Sequence, residues 1–359
     1  MSRRFRIAPL LAVLSMLTAA SSVWGQSRIP AQTSNFLSVT GNLANGDSDP
    51  YQVVFFEVPD TISGPIYFAV YDAGLDNNQT DADPDQGNTG AWQFDLIGGS
   101  GTLSGSGARN VTLTGPEAYA GTVLGTLSGT GNTAGTDQAW SYFGGVYPSQ
   151  GEKVGNSYYF KVVATVSNGD KNAFQLDASY SASGTPTGVS GLRAFAYAWT
   201  LALRDRGTTN QWLLYPFLPD NATGNLAIHN YDFDGPTNAD TLTLRAKTGY
   251  AVADPTQSGG AALFPDDVAT SLYDITAVET ASGLNQRNGT WILGITEDGV
   301  AGGDPVINTS LAFASNSADA TWAEGTDTAY RIYASPYTPA AADRVSFSPT
   351  VASAVTGSS

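Results

Sequence analysis

The chain has 359 residues and carries 32 Asp and Glu against 16 Lys and Arg, a formal net charge of −16. That excess of acid excludes nucleic acid as a partner, because a phosphate backbone must be neutralised by Lys and Arg, and it disfavours anionic lipid surfaces. There is no cysteine, the two methionines are Met1 and Met16, and His229 is the one histidine, so disulfides, sulfur-ligated metals beyond the leader and a three-histidine zinc site are excluded.

Arg3, Arg4 and Arg6 precede an apolar run from Ile7 to Ala20, and Val23-Trp24-Gly25 follows with small residues at the two positions that matter. This is the pattern of a secretory signal peptide over residues 1–25, cut before Gln26. The run is shorter than the roughly 20 residues of a membrane span, and no second run of that length follows, so no transmembrane segment is expected. The expected location is extracellular or at the cell surface. Loss of the three leader arginines leaves 13 basic residues against 32 acidic ones, a net of −19. Such a surface favours solubility, cation binding or a salt-rich or calcium-rich milieu.

Forty glycines, eighteen prolines and 11% aromatics fit many short strands joined by tight turns. Asn35 to Gly41 reads as the first strand. Tyr51 to Val58 is a dense β-branched and aromatic run, too continuous to have one wet face. Ile66 to Tyr71 follows after Gly64-Pro65. Asp72, Asp76, Asp81, Asp83 and Asp85 then place five carboxylates within fourteen residues. Ala91 to Ile97 and Tyr119 to Leu127 read as strands on either side of a Gly/Ser-rich region. Asn156 to Val166 is a strong strand, and Lys171 to Tyr180 alternates cleanly. These two read as a half-buried closing hairpin around Ser167-Asn168-Gly169-Asp170. Glu57, Asp95 and Asp177 sit in strands at positions open to solvent.

The stretch Pro59-Asp60 … Gly64 … Tyr71-Asp72 recurs without a gap 160 residues later as Pro219-Asp220 … Gly224 … Tyr231-Asp232. Five identities in one register indicate a tandem duplication. The fold class is therefore all-β: two tandem antiparallel β-sandwich domains of jelly-roll type, over 26–180 and 191–350, with a flexible joint at 181–190 and a tail at 351–359. In the second half, Leu192 to Leu203, Trp212 to Phe217, Leu226 to Tyr231, Thr241 to Arg245, Trp291 to Thr296, Leu311 to Ala314 and Tyr330 to Ala334 read as strands. Ala262 to Thr276 reads as a short helix led by Pro265-Asp266-Asp267.

The closing pattern Asn156-Ser157-Tyr158-Tyr159-Phe160-Lys161-Val162, followed by Asn172-Ala173-Phe174-Gln175-Leu176, resembles the last strands of bacterial pre-peptidase C-terminal domains. The proline–aspartate turn and the strand ending in Tyr71-Asp72 are similar to the first half of such modules. The resemblance covers about 130 residues of the first half and part of the second. It implies an accessory extracellular jelly roll, often calcium-stabilised and without catalysis of its own. The chain departs from that pattern in having no protease domain ahead of the modules.

Calcium needs six to eight hard oxygens in a flexible arrangement. Asp60, Asp72, Asp76, Asp81 and Asp83, with Asn78, Asp85 and loop carbonyls, supply them in the first half; Asp220, Asp232 and Asp234 supply them in the second. A merely solvated acidic turn is the other reading, and catalytic carboxylates a third. The helix-pair calcium loop is excluded by the missing turn glycine and terminal glutamate. His229 is matched by Ala69 in the other copy, which favours a structural role. Trp92, Trp140, Tyr142, Phe143 and Tyr147, or Trp199, Trp212 and Trp291, make either core or a carbohydrate platform. There is no nucleophile elbow, phosphate loop or dinucleotide loop. The functional classes left are three. A non-enzymatic surface-layer, matrix or filament subunit comes first, either polymerising through an N-terminal arm at 26–40 and an edge at 344–348 or remaining a monomer whose N-terminal strand completes its own domain. A carbohydrate-binding or adhesive module comes second and a secreted hydrolase third.

Overall fold

The computed structural model describes residues 28–30, 35–40, 51–75, 87–105, 108, 119–167, 169–204, 210–218, 225–231, 241–245, 257–258, 269–274, 289–290, 292–297, 306–316, 328–329 and 331–335. Among them there is no α-helix; the regular elements are strands and a 3-10 turn at Pro148–Gln150. The first half holds β1 (Phe36–Thr40), β2 (Tyr51–Pro59), β3 (Tyr67–Tyr71), β4 (Ala91–Gly98), β5 (Thr122–Thr130), β6 (Trp140–Tyr142), β7 (Glu152–Val154), β8 (Ser157–Val166) and β9 (Lys171–Ser179). The second holds β10 (Arg193–Ala196), β11 (Ala198–Arg204), β12 (Asn210–Leu218), β13 (Asn225–Tyr231), β14 (Thr241–Arg245), β15 (Gln257–Ser258) and β16 (Ala269–Asp274). It continues with β17 (Gly289–Thr290), β18 (Ile292–Glu297), β19 (Val306–Asn316), β20 (Thr328–Ala329) and β21 (Ile332–Tyr333).

The strands form two antiparallel sheets. Sheet one runs β16-β13-β19-β11-β1-β9-β3-β6, with β20 beside β19. Sheet two runs β15-β14-β18-β12-β21-β10-β2-β8-β4-β5, with β17 on β12 and β7 on β8. The strand orders β1-β9-β3-β6 and β2-β8-β4-β5 are repeated by β11-β19-β13-β16 and β12-β18-β14-β15. The 160-residue sequence register thus has a counterpart in topology. The two sets share both sheets: β1 pairs directly with β11, Phe36 opposite Ala202 and Leu37 opposite Leu201. In sheet two, β10 and β21 are spliced between β2 and β12.

Apolar side chains from the two sheets meet in one core that includes Val54, Phe56, Phe68, Phe94, Phe160, Phe174 and Trp199. Rings meet across the gap, with Phe56 and Phe68 at 4.8 Å and Phe94 and Phe174 edge-on at 4.8 Å. Each such ring contributes about 1.5–3 kcal/mol through the water it sheds. β2 is buried on both faces between its ends, as its unbroken run requires.

Other expectations are corrected. β8 and β9 do not form a hairpin in one sheet: the Ser167–Asp170 turn carries the chain from sheet two to sheet one. β9 is buried along its whole length, not half-buried. Alternation marks two different surroundings, and on β9 both are dry. Residues 269–274 form β16 rather than helix, because pairing with β13 from Asn230↔Ala269 to Asn225↔Asp274 overrides the local signal. The segment 181–190 is anchored by buried Pro186 and Val189 and by the Tyr142 hydroxyl, which donates to the Gly184 carbonyl at 2.8 Å.

The splice in sheet two is built around charge. Arg331 is 4% exposed, and its guanidinium lies over the rings of Phe195 at 4.6 Å and Tyr159 at 5.3 Å. It donates to the Tyr197 and Tyr159 hydroxyls, both at 3.4 Å. Burial works against its charge, yet Tyr197, Tyr159, Tyr333 and Glu57 outweigh that and hold its pKa above the ordinary value. Buried Glu57 accepts from Tyr333 at 3.1 Å, Ser157 at 3.2 Å and Arg193 at 3.4 Å. Replacing Arg331 by Met is predicted to cost about 3–5 kcal/mol, since it leaves Glu57 buried with less compensation. Arg331→Lys is predicted to recover little of this, because an ammonium has no planar fork to stack. Urea unfolding followed by tryptophan fluorescence measures both.

Candidate functional site

The turn acids come first. Asp60 is exposed at the end of β2 and pairs with Lys153 at 2.7 Å. Asp72 is fully buried at the far end of β3, in the left-handed region at φ 61°, and its Oδ1 accepts from the Gln138 N–H at 2.8 Å. The whole of β3 separates the two, about 16 Å at strand rise, whereas calcium ligands lie about 2.3–2.6 Å from their ion. Asp60 and Asp72 therefore do not serve one ion. Asp76, Asp81, Asp83, Asp220, Asp232 and Asp234 lie outside the described residues, as do residues 1–25 and 344–348. Among the described residues no three metal-ligating side chains converge.

Three strand acids expected to face solvent do not. Glu57, Asp95 and Asp177 are 3%, 2% and 4% exposed. Asp95 accepts from the Gln93 amide and the Thr126 hydroxyl, and Asp177 from the Ala178 N–H. Asp170 accepts from the N–H groups of Thr89 and Gly90. It sits so close that a Cβ at Gly87, where φ is +84°, would fall 2.0 Å from its Oδ1. Glu152 holds the turn at 99–105 through the N–H groups of Leu103 and Ser104 and the Ser104 hydroxyl. Burial alone would raise its pKa, but those donors keep it below the usual value.

The aromatics divide. Trp92, Trp199 and Phe143 are core, and their indole N–H groups are used: Trp92 donates to the Gly131 carbonyl and Trp199 to that of Ile332. Trp140 and Tyr142 are half-buried on edge strand β6. Trp140 is sandwiched by contacts, with the Arg28 guanidinium 5.4 Å above the ring and Tyr71 at 5.3 Å. Tyr147 is 54% exposed. The expected row is thus a packed cluster on the outer face of sheet one rather than a line of open rings. His229 lies in β13 opposite Ala312 and Thr270; its side chain is outside the described residues.

One group escaped the sequence reading. Lys161 is fully buried on the outer face of sheet two, its Nζ 5.7 Å from the Phe55 ring centroid and without a hydrogen-bond partner. Desolvation pulls its pKa down to about 7, with Glu152 acting in the opposite sense. The signal was present: Tyr159 and Val163 flank it two residues away, so its face of the strand is apolar. The unfolded chain holds the lysine proton up to about pH 10.5, whereas the folded protein sheds it near 7. Stability is therefore predicted to rise with pH between those values and to be flat in this respect below them. Lys161→Met is predicted to stabilise the protein by about 1–4 kcal/mol near pH 7 and to remove that rise. Melting temperatures across the range test both.

Among the described residues no helix is long and apolar enough to cross a membrane. Compared with known proteins, the sequence matches no family model and no curated protein.

Proposed function

We propose that the chain is an exported, non-catalytic structural β-protein of the cell surface or extracellular matrix. It associates through a sheet edge and is braced by calcium in the loop that begins at Asp72. The observation that carries this reading is the use made of carboxylates. Glu57, Asp72, Asp95, Glu152, Asp170 and Asp177 are all buried and each accepts a hydrogen bond from within the protein, those to Asp72, Glu152 and Asp170 holding turns. A hydrolase needs two convergent carboxylates free to exchange protons. Groups committed in this way serve the scaffold instead.

The route of association differs from a swapped N-terminal arm. β1 is flanked by β9 and β11, and Ile29 exchanges backbone hydrogen bonds with Leu176, so Ile29 and residues 36–40 support the chain's own sheet. The exposed alternative is β5, nine residues long at the end of sheet two. Its sequence, TVLGTLSGT, has neither charge nor proline, the usual guards of an edge. A bulge at Leu124 twists its start, where Leu96 and Ile97 face Gly125 and Val123. In a chain of net −19 this is where two copies approach with least repulsion, and calcium or salt screens the rest.

Light scattering of the full mature chain in millimolar calcium is predicted to show association. Val123→Lys, at a position 49% exposed, is predicted to abolish it without changing the melting temperature. A protein monomeric with and without calcium would count against assembly. Calcium itself is predicted to raise the melting temperature by mass action. Asp81→Asn with Asp83→Asn should remove that rise, and Asp60→Asn should not. A chelator without effect on the wild-type melting curve would sink the calcium reading.

A further inference from the structure

The outer face of sheet two carries an open depression of about 470 Å³ over β4, β5 and the end of β8. The pairing registers set Ser128, Gln93 and Thr165 in one row across the three strands, with Tyr51 of β2 next to Thr165. Thr130 and Ser167 line the same depression one row further on. Strand spacing places neighbouring members of such a row about 4.8 Å apart. The result is a flat lattice of hydroxyls around one amide.

Three observations narrow what it takes. No lining residue is charged, although acids outnumber bases two to one in the chain, 32 against 16. An ionic ligand would find no counter-charge there, and an apolar one would strand the hydroxyls. Next, the polar groups are pre-set. The Gln93 amide nitrogen donates to Asp95, which leaves its oxygen as the acceptor offered to a ligand. Ser167 Oγ accepts from the Ala91 N–H, which leaves its proton to donate. Finally, an aromatic wall stands beside the row. Tyr119 meets Tyr51 edge-on at 6.4 Å, and Asp95 and Thr165 act on its hydroxyl. Burial, reinforced by Asp95, pushes the Tyr119 hydroxyl up to about 12, so it stays protonated.

We propose that this depression binds an uncharged saccharide. Gln93, Ser128, Thr130, Thr165 and Ser167 exchange hydrogen bonds with its hydroxyls, and Tyr51 and Tyr119 flank its C–H face. Sugars present both donors and acceptors and an apolar ring face without net charge, which is the chemistry this surface offers. The site differs from the Trp140 cluster, which lies on the opposite sheet.

Affinity electrophoresis of the full mature chain tests it, in native gels containing dextran or hydroxyethylcellulose, with polygalacturonate as the charged control. Retardation is expected in at least one neutral polymer and not in the acidic one. Gln93→Ala with Thr165→Val should weaken retardation at least about tenfold, the loss of one to two hydrogen bonds. Gln93→Lys, at an exposed position, should do the same while keeping the wild-type melting temperature. Val123→Lys should retain binding, which separates this site from assembly through β5. No retardation in either neutral polymer, retardation only in the acidic polymer, or retardation unchanged in both Gln93 variants would each overturn the proposal.

Discussion

The structure depends on how a buried cation is tolerated at one place, the strip of sheet two where β10 and β21 lie between β2 and β12. A guanidinium out of water is costly, and here three tyrosines, a phenylalanine and Glu57 surround it. Arg331 comes from near the end of the chain, Glu57 from its first quarter, and Tyr197 from the crossing between the sheets. Around this group backbone bonds also converge: Phe217 N–H donates to the Arg331 carbonyl, Ala334 N–H to that of Ala194, and the Trp199 indole to that of Ile332. Charge, aromatic stacking and ladder bonds are thus satisfied by the same few residues.

The same economy governs the acids. A net of −16 reads as a surface property, yet six of the described carboxylates are in the interior. Each is met by N–H or O–H donors, and in Glu152 the donors overcome the desolvation that burial imposes. Fixed acceptors of this kind define turns without needing disulfides, and the chain has no cysteine. Lys161 is the exception, a buried amine with an acid nearby and no hydrogen bond, held by the apolar cluster around it.

The fold class was legible because strands declare themselves through β-branched and aromatic runs. What could not be read was which sheet each strand joins. The stretch Lys171 to Ser179 alternates like a half-wet strand, but Arg28, Phe36 and Tyr71 pack on the side that alternation assigns to water. Glu57, Asp95 and Asp177 misled for the same reason: sequence gives the period of a strand and not what covers its polar face. The calcium pairing of Asp60 with Asp72 failed on direction. Reversal at Gly64 returns the chain through the opposite sheet, and β3 then carries Asp72 away from Asp60. Nothing local marks Gln93, Ser128 and Thr165 as neighbours; their row exists only through the registers of three strands.

The position of β21 bears on how the molecule is made. Residues 332–333 occupy an interior place in sheet two, with β10 on one side and β12 on the other. An element that follows every other described strand of that sheet in chain order is thereby placed in its interior. No partial chain closes that sheet, so the fold is completed only once residue 333 is available. This timing delays closure: the long-range pairings of sheet two stay open until their shared neighbour arrives, so earlier strands are kept from locking too soon.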